Sequence, residues 1–304
     1  MINRNPIDSR LALRPGLALG MLLCLMLFFL IAISILVTFL GTKMENQTAF
    51  LRISAVLQDT FIFIIPAIVT AMLATRYQAW LLQIQSKPSL RIILLTFAVM
   101  LLSTPVMNLI VEWNEGIRFP ESLAGLESQM RSLETAAQES VKVLLGNGSV
   151  ASLVMAILIV GIYAGFSEEL LFRGIIQRLT GFVCNPHVAI WLTAFIFSAF
   201  HLQFYGFIPR MLLGAFFGYL LYWSGSLWLP VTAHIFNNSL VSFVEWLQDS
   251  GMTEANNLST IGSDISSATD ISMAIVSAVF IVGGIVFVRH YAMRDKKAES
   301  IKTR

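Results

Sequence analysis

Three apolar segments of this chain carry ionisable and amide side chains in an arrangement suited to hydrolysis. An unpaired carboxylate that faces two histidines and an asparagine can activate a water molecule by taking its proton. Charged groups at mid-bilayer are rare, because each costs about 2.5 kcal/mol or more to insert, so we interpret these side chains as a functional site. The residues that form the predicted site are Glu168, His201, His234 and Asn238.

The adjacent glutamates of the first segment, Glu168 and Glu169, are predicted to have different tasks. Successive residues of a helix point about 100° apart, so the two carboxylates face different neighbours. Glu169 lies four residues before Arg173, a spacing at which opposite charges pair on one helix face. Glu168 instead falls on a stripe of small residues that lets another helix or a peptide approach closely. The stripe consists of Gly161, Ala164 and Gly165.

The polar residues of the three segments fall at compatible depths. Glu168 lies 16 residues before Cys184, in a predicted turn at 184–186, and His201 lies 17 residues after Cys184. At 1.5 Å per residue, both are about 24–26 Å along the helix from that turn. By the same measure, His234 lies about 12 Å beyond the turn predicted at 224–226, before the seventh apolar segment. The spacing predicts one shared cavity, with Phe197 packing against the site or a substrate side chain.

The elements that must position these residues are membrane helices. Hydrophobic residues make up 56% of the 304 residues and charged residues 12%, against about 25% charged in soluble domains. A helix needs about 20 mostly apolar residues to cross a bilayer. The predicted fold is therefore an all-α polytopic integral membrane protein of about eight transmembrane helices with an intramembrane catalytic cavity. The qualifying runs lie near 17–40, 53–74, 92–111, 151–179, 187–206, 208–223, 227–246 and 271–288.

Charged residues in the loops predict the orientation of these helices. The net charge of the chain bears on its partners. Basic residues prevail in 1–16, in the second interhelical loop and in the tail, which places both termini in the cytoplasm. We expect a bacterial inner membrane. The net charge of +2 does not favour nucleic acid. The expected partners are the lipid bilayer and a peptide or membrane-protein substrate. The two cysteines indicate neither a disulfide framework nor a cysteine-rich metal site.

Three regions follow from this organisation. Residues 1–149 are predicted to form three transmembrane helices and an extracytoplasmic amphipathic helix, whose apolar positions from Leu123 to Leu144 follow a 3–4 spacing. That helix is expected to pack across the bundle, with a substrate lid or a dimer contact as alternatives. Residues 150–245 form the predicted catalytic core, and 246–304 a polar loop, the last transmembrane helix and a basic cytoplasmic tail.

Asp59 and Arg210 are further charged residues in or beside the apolar segments. Asp59 has no partner at a matching depth, and we interpret it as structural or cavity-lining. Arg210, at the start of the sixth segment, is interpreted as an anchor at the membrane interface, with contact to a substrate carboxylate as the alternative.

Three motifs resemble those of the CPBP intramembrane protease family, which includes CAAX prenyl endopeptidases of the Rce1 type and abortive-infection proteins. The motifs are EExxxR at Glu168–Arg173, FxxxH at Phe197–His201 and HxxxN at His234–Asn238. The resemblance covers about residues 150–245 and implies an intramembrane endopeptidase, with CAAX-type peptides among its expected substrates. It implies that Glu168 and His201 activate water, and that His234 and Asn238 stabilise the oxyanion. Glu169, Arg173 and Phe197 are expected to support them.

The resemblance leaves the cofactor and two other functions open. Two histidines and a glutamate are zinc ligands in several hydrolases, so a bound divalent metal such as zinc would be held by Glu168, His201 and His234. The HExxH helix is absent, however, and such enzymes are also described as acting without a metal. The alternatives to a peptidase are a non-catalytic membrane scaffold or bacteriocin-immunity protein on the same fold, and a proton-coupled transporter.

Overall fold

The computed structural model describes residues 9–146, 148–250, 260–264 and 266–302, and describes side chains as far as residue 298. It is 82% helical and contains no β-strand in those residues, which confirms the predicted all-α membrane fold. The predictions about residues 1–8, which include the basic Arg4, and about 251–259 of the polar loop lie outside the described residues.

Eleven α-helices occur in the described parts of the chain. They are α1 (Pro15–Gly41), α2 (Gln47–Ala74), α3 (Gln78–Leu82), α4 (Leu90–Leu102), α5 (Thr104–Glu115), α6 (Ala124–Leu145), α7 (Val150–Gly181), α8 (Pro186–Phe200), α9 (Phe207–Ser224), α10 (Trp228–Asp249) and α11 (Ala268–Lys302).

The predicted count of eight membrane spans is not confirmed. Four of the described helices, α1, α2, α7 and α11, are long and apolar enough to cross a bilayer, and α4 with α5 makes a fifth if the bent pair is one span. The bend of 48° falls just before Pro105. Proline has no backbone N–H and its ring clashes with the carbonyl four residues earlier, which explains why the run predicted as one helix is bent here.

The helix predicted over 187–206 is shorter than expected. α8 has 15 residues and ends at Phe200, so it extends only about 22 Å. His201 follows as its C-cap, and Leu202 has a left-handed φ of +55°, a conformation that cannot continue a right-handed helix. The chain then turns and returns as α9, which packs along α8. We call residues 201–206, which join α8 and α9, the hairpin tip.

Two elements hold the hairpin tip in place. Asn114 of α5 donates from Nδ2 to the carbonyl of Phe204 at 3.1 Å and accepts from the backbone N–H of Ile208 at 2.9 Å. Across the tip lies α6, the amphipathic helix predicted from the third loop, where Glu134 accepts a hydrogen bond from Gln203 at 3.1 Å. α6 also packs against the first turns of α2 and α7, as the bundle-packing prediction required.

Apolar packing forms the interior of the bundle, and the outer surface of its helices is apolar as well. One buried cluster joins α1, α2, α3 and α7, and a second joins α4, α9, α10 and α11. On α1, Phe28 is 65% exposed and Ile35 is 67% exposed. Large apolar side chains turned outward along a helix of this length suit a hydrocarbon solvent, in agreement with an integral membrane protein.

Candidate active site

Helix α7 presents the two glutamates from an α-helical turn between two π-helical stretches. The stretches are Ile157–Ala164 and Phe172–Gln177, and the turn between them is Gly165–Leu171. Helix α2 contains a third π-helical stretch, Asp59–Ile64, which packs against this turn. π-Helical turns are rare in proteins and frequently occur at functional sites.

Glu169 and Arg173 form the predicted ion pair. Arg173 Nη1 lies 2.7 Å from Glu169 Oε1, and both side chains are 0% exposed. The guanidinium also donates from Nη2 to the carbonyl of Gly214 in α9 at 2.9 Å, and it stacks over the Phe197 ring at 4.6 Å. A Cβ on Gly214 would lie 3.2 Å from Nη2 and 3.1 Å from Phe197. A side chain at position 214 would therefore press on Arg173 and Phe197, so a glycine favours the close approach of α9.

His234 of α10 bridges the two adjacent glutamates. Its Nδ1 lies 2.8 Å from Glu169 Oε1, and its Nε2 lies 3.7 Å from Glu168 Oε2. An ionised carboxylate oxygen only accepts hydrogen bonds, so Nδ1–H donates to Glu169 and Nε2 is left facing Glu168. The imidazole is buried, with the ring centroid of Phe217 at 5.0 Å and that of Phe197 at 5.8 Å.

The stripe of small residues on α7 allows α10 to approach this closely. A Cβ added to Gly161 would lie 2.5 Å from Ser239 Oγ, and one on Gly165 would lie 3.2 Å from the backbone nitrogen of Ile235. The stripe therefore receives a helix, one of the two alternatives predicted for it. This contact brings His234 to the glutamates, because His234 and Ile235 are consecutive residues of α10.

Glu168 has fewer partners than its neighbour. Its side chain is 13% exposed, and its Oε2 atom is buried without a hydrogen-bond partner among the described residues. The distance of 3.7 Å between Glu168 Oε2 and His234 Nε2 is too long for a direct hydrogen bond. A water molecule that bonds to both groups would connect them. A buried oxygen that lacks a partner is costly, so the position is suited to a water or a substrate group.

Asp59 brings a further carboxylate to the site, in agreement with the cavity-lining interpretation of this residue. It opens the π-helical stretch of α2, where its side chain interacts with Ser167 and, electrostatically, with Glu168. The interpretation of Asp59 as lacking a matched partner was therefore wrong. The available signal was an acid in an apolar run, but only the packing of α2 on α7 identifies its neighbours.

His201 stands at the end of α8 beside the Phe197 ring. Its Nδ1 is 2.9 Å from the carbonyl oxygen of Phe197, and the two rings are 5.1 Å apart. Because a carbonyl only accepts, Nδ1 carries the proton and Nε2 is left as an acceptor. Glu168, His234 and Arg210 lie near enough to interact with the imidazole electrostatically. Phe197 thus packs against both histidines.

Asn238 lies one turn beyond His234 but makes its contacts with the backbone of α7. Its Nδ2 donates to the carbonyl of Val160 at 3.1 Å, and its Oδ1 accepts from Asn237 at 3.3 Å. Val160 belongs to the first π-helical stretch of α7. One of the two amide hydrogens is therefore engaged in joining α10 to α7, and the second remains for another acceptor.

The residues predicted for a metal do not form a metal-binding group. Among the residues that the structure describes, no cluster of three or more His, Cys, Asp or Glu side chains is arranged to hold an ion. Glu168 and His234 approach one another, but His201 does not complete the set. The predicted ligand set does not fit zinc, and we derive no chemical step through a metal.

Comparisons with known proteins agree with the motifs. Residues 150–240 match the family model described as type II CAAX prenyl endopeptidase Rce1-like, which confirms the resemblance over that segment. The uncharacterized protein YpbD of Bacillus subtilis (strain 168) is 33% identical over 73 residues, which cover 23% of this chain and 34% of YpbD. The match thus spans about a third of that relative's length. No solved structure matches the chain.

Proposed function

We propose that this integral membrane protein is an intramembrane endopeptidase that cleaves membrane-associated peptides with a water activated by Glu168. The observation that carries the proposal is the buried Oε2 of Glu168, which has no hydrogen-bond partner in the described residues and faces His234 Nε2 at 3.7 Å. This pair belongs to the segment that matches an endopeptidase family.

The chemistry divides among the residues as follows. Glu168 takes a proton from water as the water oxygen attacks the carbonyl carbon of the substrate, and His201 Nε2 accepts the hydrogen bond of the second O–H. The carbonyl oxygen becomes an oxyanion, to which protonated His234 donates from Nε2 and Asn238 from its second amide hydrogen. When the C–N bond breaks, Glu168 returns the proton to the leaving amine, so the carboxylate is regenerated.

The surrounding residues hold these groups in position. Glu169 fixes the His234 ring through Nδ1, and Arg173 balances the Glu169 charge. Phe197 packs against both histidines and limits the orientations of their rings. A base and donors that are fixed before substrate arrives need little reorganisation during the reaction, which is a main source of catalytic power.

The broader context belongs to the same proposal. The substrates are peptides or membrane proteins in the bilayer, with CAAX-type peptides as one class, and the protein resides in a bacterial inner membrane with both termini in the cytoplasm. Residues 150–245 are the catalytic core. Residues 1–149 and 246–304 complete the bundle around that core, and α2 of the first region adds Asp59 beside Glu168.

The variant Glu168→Gln tests the proposal. Glutamine has nearly the same shape but cannot take the proton, so we expect turnover to fall about 10²–10⁴-fold. The purified protein in detergent would be assayed for release of a labelled fragment from one reporter peptide, in farnesylated and unmodified forms. Glu139→Gln, which changes an exposed acid of α6, is the matched control. Wild-type turnover by a folded Glu168→Gln protein would exclude Glu168 as the base.

A further inference from the structure

The side chain of Arg210, at the start of α9, contacts the hairpin tip. Its Nη2 donates to Gln203 Oε1 at 2.9 Å, so the guanidinium folds back over the tip. Gly206 makes this possible, since a Cβ at that position would lie 2.9 Å from Nη2.

The charge of Arg210 has no counterion within bonding distance. In the part of the chain that the structure describes, no carboxylate forms an ion pair with Arg210, and its Nη1 is buried without a hydrogen-bond partner. Arg173, the other inward-facing arginine of the core, has Glu169 at 2.7 Å. Burying a cation without a partner is costly, so an orphaned guanidinium N–H indicates that an anion occupies this position in a functional state.

The surroundings of Arg210 place that anion beside the reacting groups. The guanidinium interacts electrostatically with Glu168 and His201 of the candidate site and with Glu134 of α6. Gln203 connects it by hydrogen bonds to Glu134. The guanidinium therefore lies between the α6 cover and the groups that we propose to activate water.

We propose that Arg210 is the anion-binding residue of the catalytic cavity and donates from Nη1 to a negatively charged oxygen of the bound peptide. This inference rests on the proposed function. Two negatively charged oxygens would bind to the guanidinium in the same way. One belongs to a carboxylate that the peptide carries, and the other is the oxyanion that forms at the cleaved carbonyl. A guanidinium suits either, because its planar N–H groups match the geometry of oxyanions.

A pair of reporter peptides separates the two sources. One sequence is prepared with a free C-terminal carboxylate and as the C-terminal amide, and kcat and KM are measured for wild type, Arg210→Gln and Arg210→Lys. If Arg210 binds the peptide carboxylate, Arg210→Gln raises KM at least 10-fold for the acid and leaves the amide unchanged. If it binds the reaction oxyanion, kcat falls at least 10-fold for both peptides. Arg210→Lys recovers part of either loss.

The controls keep the inference distinct from a structural role and from the proposed function. Arg118→Gln removes an exposed charge near α6 and is expected to leave both peptides unaffected. Unchanged kinetics in Arg210→Gln overturn the inference, as does a change that follows only the folded fraction. If Arg210→Gln does not fold, Arg210→Lys is compared with wild type instead. The quantities compared are again KM for the acid peptide and kcat for both peptides, and unchanged values overturn the inference.

A wild-type protein that cleaves neither peptide contradicts the proposed endopeptidase. Binding of the acid and amide peptides to Glu168→Gln protein, with and without Arg210→Lys, then tests the anion subsite alone. An at least 10-fold preference for the acid that Arg210→Lys reduces supports the subsite. Equal binding of the two peptides overturns it.

Discussion

Two adjacent residues of α7, Glu168 and Glu169, belong to two polar regions. The charged groups of one region bond to each other, and those of the other do not. The inner region contains Glu169, Arg173 and His234, whose charges are joined by contacts of 2.7 and 2.8 Å. The outer region contains Glu168 and Arg210, which have the same charges but form no ion pair with each other and leave Oε2 and Nη1 unbonded. Both regions are largely buried and lie within one apolar bundle.

The difference in bonding indicates that the inner region holds the site in position and that the outer region carries out the chemistry. Groups that already bond one another, such as Glu169 and Arg173, have little capacity left for a substrate, but they hold His234 and α9 in place. Groups without partners raise the free energy of the folded state, and such a cost is typical of functional positions. The inner region therefore provides the positioning that the outer region needs.

The largest effect on folding is expected from breaking the inner ion pair. Glu169→Gln leaves Arg173 buried without a counterion, which costs about 3–5 kcal/mol of unfolding free energy. Glu168→Gln removes no hydrogen bond within the described residues and should cost far less. Denaturant unfolding in detergent, followed by circular dichroism, measures both. The double variant Glu169→Gln with Arg173→Met should recover most of the loss, because it removes the orphaned charge. Equal stability of the two single glutamine variants would remove the distinction between the regions.

A smaller effect is expected from forcing α7 and α10 apart. Gly161→Val places side-chain atoms where Ser239 packs, and overpacking of this kind costs about 1–3 kcal/mol. The shift also moves His234 away from Glu168, so reporter cleavage per folded molecule should fall. Gly20→Val on α1 is the matched control, because nothing lies within 4 Å of a Cβ there. If the two valine variants melt and cleave alike, the glycine stripe does not position His234.

The smallest effect is expected at the hairpin tip. Asn114→Ala removes the two hydrogen bonds that hold the backbone of Phe204 and Ile208, at a cost of about 1–2 kcal/mol. The loss should be local, since the rest of the α8–α9 hairpin keeps its packing. Hydrogen exchange at residues 201–208 should quicken in this variant. Asn108→Ala, which loses one bond to the carbonyl of Ile261, serves as the control and should leave the tip unchanged. Equal exchange in both variants would show that Asn114 does not hold the tip.

The sequence alone determined the features that depend on local spacing. Long apolar runs predict helices because a bilayer requires internally satisfied backbone groups, and α1, α7 and α11 follow those runs. The four-residue separation of Glu169 and Arg173 places both on one helix face at any site, so their ion pair needs no tertiary information. The 3–4 spacing of apolar residues likewise predicts the amphipathic helix α6 without tertiary information.

Only the tertiary structure decided which residues from different helices meet. His234 bonds to Glu169 as well as facing Glu168, Asn238 bonds to Val160, and Asp59 reaches Ser167 through the packing of α2 on α7. α8 ends at Phe200 although the apolar run continues, because Asn114 and α6 hold the hairpin tip. Such contacts join residues far apart in the chain, and hydrophobic periodicity reports which face of a helix is buried but not which partner it meets.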